Sequence, residues 1–229
     1  MSFIRLNITA EGQTEERFVK EVLCPHLVAF RVSADVRRVL TSKDKIKSYR
    51  GGLLSYGKAK KDIQTWLKED NSREARFSTM FDLYALPNDF PGFQETQRFR
   101  DPYTKVAFLE RAIAEDIGDR RFIPYIQLHE FEALVLANPR NLELEYFEHE
   151  SALLDLEEQL ARVDNNPELI NEGRETAPSK RIIKLIPEYD KVSVGADIAA
   201  INGVEFLKKK CRHFNDWITI LENLAPSED

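Results

Sequence analysis

Cysteine is scarce in this 229-residue chain. Cys24 and Cys211 are too few for a disulfide framework and form no C-x-x-C motif. Each begins a C-x-H pair, Cys24-Pro25-His26 and Cys211-Arg212-His213, but 187 residues separate them, so core positions are expected and not a zinc site. Long apolar runs are missing too. The longest, about five residues, is Ala133 to Ala137, and a membrane span needs roughly 20. The start, Met1-Ser2-Phe3-Ile4-Arg5, lacks a charged region followed by an apolar run, so no secretion signal is expected and the chain reads as soluble and cytoplasmic. There is no G-x-x-x-x-G-K-[ST] loop, which argues against ATP hydrolysis, and no G-x-S-x-G motif. Internal repeats and low-complexity tracts are absent as well.

What is present is globular: 42% hydrophobic and 31% charged residues, too apolar for disorder. The length suits one large domain, or one with an appended lobe. Net charge is −6, which by itself opposes nucleic-acid binding. Its distribution does not. From Arg31 to Lys61 the chain carries ten basic and two acidic residues, a segment of +8 on a remainder of −14. Arg37, Arg38, Lys43, Lys45, Lys47, Arg50 and Lys58 could follow a phosphate backbone, with Tyr49 and Gly51-Gly52 among them. The alternative is an ordinary solvated surface of helix and loop.

Strand and helix signals alternate through the N-terminal part. Phe3 to Ile8 alternates apolar and polar residues and reads as a strand ending near Glu11-Gly12. A helix is expected from about Thr14, its N-cap, with Pro25 bending it. Val32, Ala34 and Val36 suggest a second strand, and Ala59, Ile63, Trp66 and Leu67 a helix. Phe77 to Leu83 reads as a third strand, followed by a proline-rich connection of about nineteen residues. A helix through Val106, Leu109 and Ile113 leads to a fourth strand over Phe122 to Leu128. After about residue 139 the pattern is helical. The expected fold is α/β: a mostly parallel sheet flanked by helices over 1–138, with a helical C-terminal extension over 139–229 packed on it.

Three of these strands end in acidic residues: Glu11, Asp82 and Glu130. Open parallel sheets bind ligands beyond the carboxyl ends of their strands, so these side chains should converge. Hard divalent cations want such oxygen ligands, and metal ions held there can activate phosphoryl displacement. Glu15 and Glu132 lie close enough in sequence to join them. Each residue also has a plainer role open to it: Glu11 and Glu15 at a helix N-terminus, Asp82 capping a turn, Glu130 and Glu132 in solvent. His129 could transfer protons, since its acidic neighbours favour protonation, or simply bond a backbone carbonyl. Lys180 and Arg181 follow Pro178-Ser179 at a helix start suited to phosphate, or merely to a capped helix.

Glu11-Gly12-Gln13-Thr14-Glu15 resembles the E-G-x-T-E signature of TOPRIM domains, particularly in overcoming-lysogenization-defect nucleases. The chain is more similar still to an uncharacterised bacterial TOPRIM-like family, through Met80 to Pro87, His129 to Leu134, Ala177 to Arg181 and Cys211 to Trp217. The resemblance implies a TOPRIM-like sheet binding Mg²⁺ or Mn²⁺ through Glu11, Glu15, Asp82, Glu130 and Glu132. It further implies nuclease or phosphodiesterase chemistry on DNA or RNA, with Glu11 assisting acid–base chemistry or binding metal; on that hypothesis His129 would transfer protons, and Lys180 and Arg181 would neutralise charge on the phosphate. Asn171 and Glu172 would face the same cleft. Relatives sit beside ATPases in mobile-element or phage-defence settings, which suggests an ATPase partner. The chain departs from the TOPRIM pattern at Asp82-Leu83-Tyr84, where a second Asp is expected at Tyr84. That leaves open a non-catalytic binding subunit or a small-nucleotide phosphodiesterase.

Overall fold

The structure, a computed structural model, describes residues 3–39, 53–170, 173 and 176–226. Its parallel sheet is built on β1 (Ile4–Ala10), which lies between β2 (Val32–Arg38) and β3 (Ala75–Asp82). Beyond β3 come β4 (Phe122–Ile123) and β5 (Ile126–Gln127), both paired parallel to it. All strands therefore point their carboxyl ends to one edge. Alternation along β3 sends Ala75, Phe77 and Phe81 to one face and Met80 to the other. The first face is covered by α3 (Tyr56–Glu69) and α4 (Pro102–Ile117), and their apolar stripes complete that cluster.

The opposite face carries α1 (Gln13–Phe18), a π-helical turn Val19–Leu23, and α2 (Cys24–Val28). The expected bend at Pro25 is this widened turn. Proline lacks the N–H that an α-helical ladder needs, and a π turn just before it absorbs the lost bond. Gly12, not Thr14, is the N-cap, and Thr14 is buried in the first turn.

The expected fourth strand over Phe122 to Leu128 is two short ones, because Pro124 interrupts the ladder. Thr79 repairs the gap: its hydroxyl accepts from the Tyr125 N–H at 2.9 Å and donates to the Tyr125 carbonyl at 2.9 Å. The long connection after β3 is ordered by two 3₁₀ turns, Leu83–Ala85 and Glu95–Arg98, and buries Leu86 and Phe90. Gly92 is required there. Its φ is +75°, and a Cβ would sit 2.7 Å from the Phe108 ring.

The C-terminal helices are α5 (Glu132–Val135), α6 (Glu150–Ala161), α7 (Pro178–Leu185), α8 (Ala196–Asn202), α9 (Val204–Lys210) and α10 (Arg212–Glu222). One hydrophobic cluster joins Leu6 and Ile8 of β1 to Leu153 and Leu156 of α6 and to Phe214 and Ile218 of α10. Trp217 stacks on Tyr125 at 4.0 Å and donates to the Ser78 hydroxyl at 3.0 Å. Among the described residues, no helix is long and apolar enough to cross a membrane.

Glu168, fully buried, fastens α10. Its carboxylate accepts the N–H of His213 (2.9 Å) and of Phe214 (3.0 Å), and the Tyr103 hydroxyl at 3.0 Å. Buried donors left without this acceptor are costly. Glu168→Ala should lower unfolding stability by about 3 kcal/mol, measured by urea denaturation; a loss under about 0.5 kcal/mol would show that α10 needs no such anchor.

Candidate functional site

The sheet edge gathers the acidic residues. Glu11 is the first residue beyond β1. Its N–H continues the ladder to Met80 (3.1 Å), and its carboxylate reaches across to accept the Asp82 N–H at 3.0 Å. Asp82, the last residue of β3, is buried beneath it. Glu15 lies one helical turn into α1, also buried. Its carboxylate folds back to the Gly12 N–H, so it serves the helix N-terminus and the cluster at once. From the β5 side, Glu130 reaches the rim half-buried, and Glu132 opens α5 with 0% exposure.

Their mutual influence is visible in their proton affinities. Burial pushes Asp82 up to about 7, opposed by Lys191 and reinforced by Glu15 and Glu130. Burial likewise pushes Glu132 up to about 7, with Asp82 and Glu130 adding to it. Glu11 is raised well above the carboxylate range by desolvation, then by Asp82 and Glu15. Asp82 Oδ1 and Glu132 Oε1 are buried with no hydrogen-bond partner. Orphaned, ionisable oxygens of this kind mark a place that takes a proton or a cation.

One residue of the site was not foreseen. Lys191 projects its ammonium into the cluster, 3.0 Å from Glu132 Oε2 and 3.6 Å from Asp82 Oδ2. Its position in sequence, between Asp190 and Val192, carries no motif. The only signal was arithmetic: several buried carboxylates need a counter-charge.

His129 requires a correction. It sits at φ +62°, in the left-handed turn that reverses the chain after β5. The ring is buried, and Nε2–H donates to the Glu168 carbonyl at 2.7 Å. Burial pushes it down to about 4, outweighing Glu130. The imidazole is therefore neutral, and its acidic neighbours do not keep it protonated. The helix start at Pro178 is also otherwise engaged: the Ser179 N–H donates to Glu130 Oε2 at 3.0 Å, so a carboxylate of the protein fills the expected phosphate place. Arg181 is tied to the Thr176 carbonyl and to Gln159, each at 2.7 Å, and Lys180 is exposed.

The basic segment is only partly described. Arg37 pairs with Glu69 at 2.6 Å and lies over Trp66, and Arg38 pairs with Glu16 at 2.6 Å. Both ion pairs lie at the surface, with Arg37 and Arg38 about half exposed, and Lys58 is exposed. Lys43, Lys45, Lys47, Tyr49, Arg50 and Gly51-Gly52 lie outside the described residues, as do Asn171 and Glu172. The two C-x-H pairs engage separate partners. Cys24 donates to the Ala34 carbonyl and His26 meets Glu222 at 2.8 Å, whereas His213 meets Glu110 at 2.9 Å.

Among the described residues, one triad has ligand atoms all within 4.8 Å of one another: His26, Glu205 and Glu222. A cation is already there, since Lys208 stands 2.7 Å from both oxygens of Glu222. No three of the strand-end carboxylates come that close. Their oxygen donors nevertheless fit Mg²⁺ or Mn²⁺, and the orphaned Asp82 and Glu132 oxygens supply unused ligands.

Fold and site thus define an α/β protein with an acidic centre, built around one lysine, at the carboxyl edge of a parallel sheet. The family described as "Domain of unknown function (DUF4276)" matches residues 10–222, and the chain belongs to it. No curated protein and no solved structure matches the chain.

Two outcomes follow from the electrostatics. NMR titration of His129 should keep the Nε2–H tautomer through neutral pH, with a midpoint below 5; a midpoint above 6 contradicts its burial as a neutral ring. For Asp82, a raised affinity means the folded state binds the proton more tightly than the unfolded one. Stability then falls as pH rises from about 4 through about 7. In chelator, Asp82→Asn should melt above wild type at pH 8 by at least about 3 °C, with the gap closing toward pH 4. An equal gap at both pH values would refute this.

Proposed function

We propose that this chain is a divalent-metal-dependent phosphodiesterase acting on nucleic acid, with a TOPRIM-like centre. The observation that carries the reading is that Glu11 and Glu130, from distant parts of the sequence, each act on the buried Asp82, one of whose carboxylate oxygens lacks a partner. Asp82 and Glu130 would hold Mg²⁺ or Mn²⁺, with Glu15 and Glu132 behind them. When bound, the ion would supply Lewis-acid activation of a phosphodiester. Glu11 takes one of two roles: ionised, it would be a further ligand to the ion; left off the ion, its half-buried carboxyl would carry a proton to a leaving oxygen. Lys191 adds fixed positive charge facing the same place. His129 is a positioning residue in this reading, since its ring is bonded to Glu168. By resemblance, an ATPase partner in a mobile-element or phage-defence setting belongs to the same proposal.

Tyr84 favours a second reading. Its phenol stands where TOPRIM enzymes carry a metal-binding Asp, and burial pushes it up to about 12, so it offers no anionic ligand at neutral pH. A binding subunit without catalysis would have that character.

Hydrolysis of bis(p-nitrophenyl) phosphate and of labelled DNA and RNA, with Mn²⁺ or Mg²⁺, separates the readings. Wild type should cleave in metal and not in chelator, and Glu11→Gln or Asp82→Asn should lose at least about 100-fold. Binding of oligonucleotide that falls steeply with salt, without cleavage of any substrate, supports the binding subunit instead.

A further inference from the structure

The acidic centre already contains one cation, Lys191, and its placement bears on how many metal ions can enter. Its ammonium lies between Glu132 Oε2 (3.0 Å) and Asp82 Oδ2 (3.6 Å), on the side of the cluster where those two carboxylates face each other. A divalent ion in that space would draw oxygen ligands to roughly 2.1 Å. It would then share both carboxylates with the ammonium and lie only a few ångströms from it.

Lys191 is also firmly mounted. It begins the π-helical turn Lys191–Gly195. The preceding Asp190 carboxylate accepts the N–H of Val192 (3.0 Å) and of Ser193 (3.2 Å), and the Asp190 N–H donates to the Tyr146 hydroxyl at 3.0 Å. Arg17 donates to the Ser193 carbonyl at 2.7 Å and to Asp197 at 2.6 Å. Arg17 belongs to α1, the helix that carries Glu15, so ammonium and carboxylates sit on elements fastened to each other. Gly195 closes the turn against Tyr189, whose hydroxyl a Cβ at that position would meet at 2.8 Å. The backbone that carries Lys191 is thus fixed relative to α1, and the ammonium itself is directed by its two carboxylate partners.

The other half of the Asp82 carboxylate is different. Oδ1 is buried and unpartnered, the half-buried Glu11 accepts the Asp82 N–H at 3.0 Å, and the half-buried Glu130 acts on the Asp82 carboxyl through its charge. We infer that Lys191 occupies the place of a second cation, so that the strand-end centre takes one divalent ion per chain and not a pair. This rests on the metal-binding reading above. The centre would face a phosphodiester with two cations, one exchangeable and one covalently held.

Metal-stripped full-length protein is titrated with Mn²⁺ by calorimetry, and bound ions are counted by electron paramagnetic resonance. Wild type, Lys191→Met and Lys191→Gln are compared, with folding checked by circular dichroism. Wild type should bind one Mn²⁺, and the folded variants two, with a spin-coupled signal from the adjacent pair. Two ions in wild type overturn the inference, and so does a single ion in a folded variant. Binding of no Mn²⁺ by wild type or variants overturns the metal reading itself and the inference with it. If neither variant folds, the wild-type count decides: one uncoupled ion upholds the inference, and a coupled pair rejects it.

Discussion

Like charge gathered at the end of a parallel sheet governs this structure. Strands running in one direction deliver Glu11, Asp82 and Glu130 to a single edge, and α1 and α5 add Glu15 and Glu132. Burial makes the ionised forms expensive, and each neighbour adds to the cost. Lys191 is the internal answer to that cost. Much of the C-terminal architecture around it, from the Asp190 turn to the Arg17 bridge, holds the backbone turn that carries it.

The helical C-terminal part is therefore more than a cover for the sheet. Its α10 closes the hydrophobic cluster under β1 through Phe214 and Ile218. Its π turn supplies the lysine, and its α7 offers the N–H that orients Glu130. Glu168, reached from the same part, binds the start of α10 through its carboxylate and fixes the His129 ring through its carbonyl. One residue thus links the packing of a distant helix to the turn that presents Glu130 and Glu132.

Several side chains that read as functional from their types are engaged structurally. Arg37 and Arg38 meet Glu69 and Glu16, and Arg181 meets Thr176 and Gln159. A basic residue in a sequence signals available charge only if no acid folds next to it. Here the partners lie 32 residues away for Arg37 and 22 for the Arg181–Gln159 contact, beyond the reach of local pattern. Among the described residues, the strand-end acids also have partners, but Asp82 Oδ1 and Glu132 Oε1 are left without one.

The features legible along the chain were local and periodic. Alternation marked β1 and β2, an apolar-rich run marked β3, helical spacing marked α3, α4, α6 and α10, and acids after apolar runs marked the strand ends. Those signals are carried by neighbours within a few residues, and the parallel arrangement follows from their order. The remaining features depend on contacts between distant segments. Pro124 splits a run whose residue types favour one strand, and Thr79 on another strand mends it. His129 is neutral because burial outweighs adjacent carboxylates. Lys191 enters a centre whose acids lie from 59 to 180 residues before it in sequence. Desolvation and long-range pairing depend on what surrounds a group in space, and no spacing along the chain encodes that.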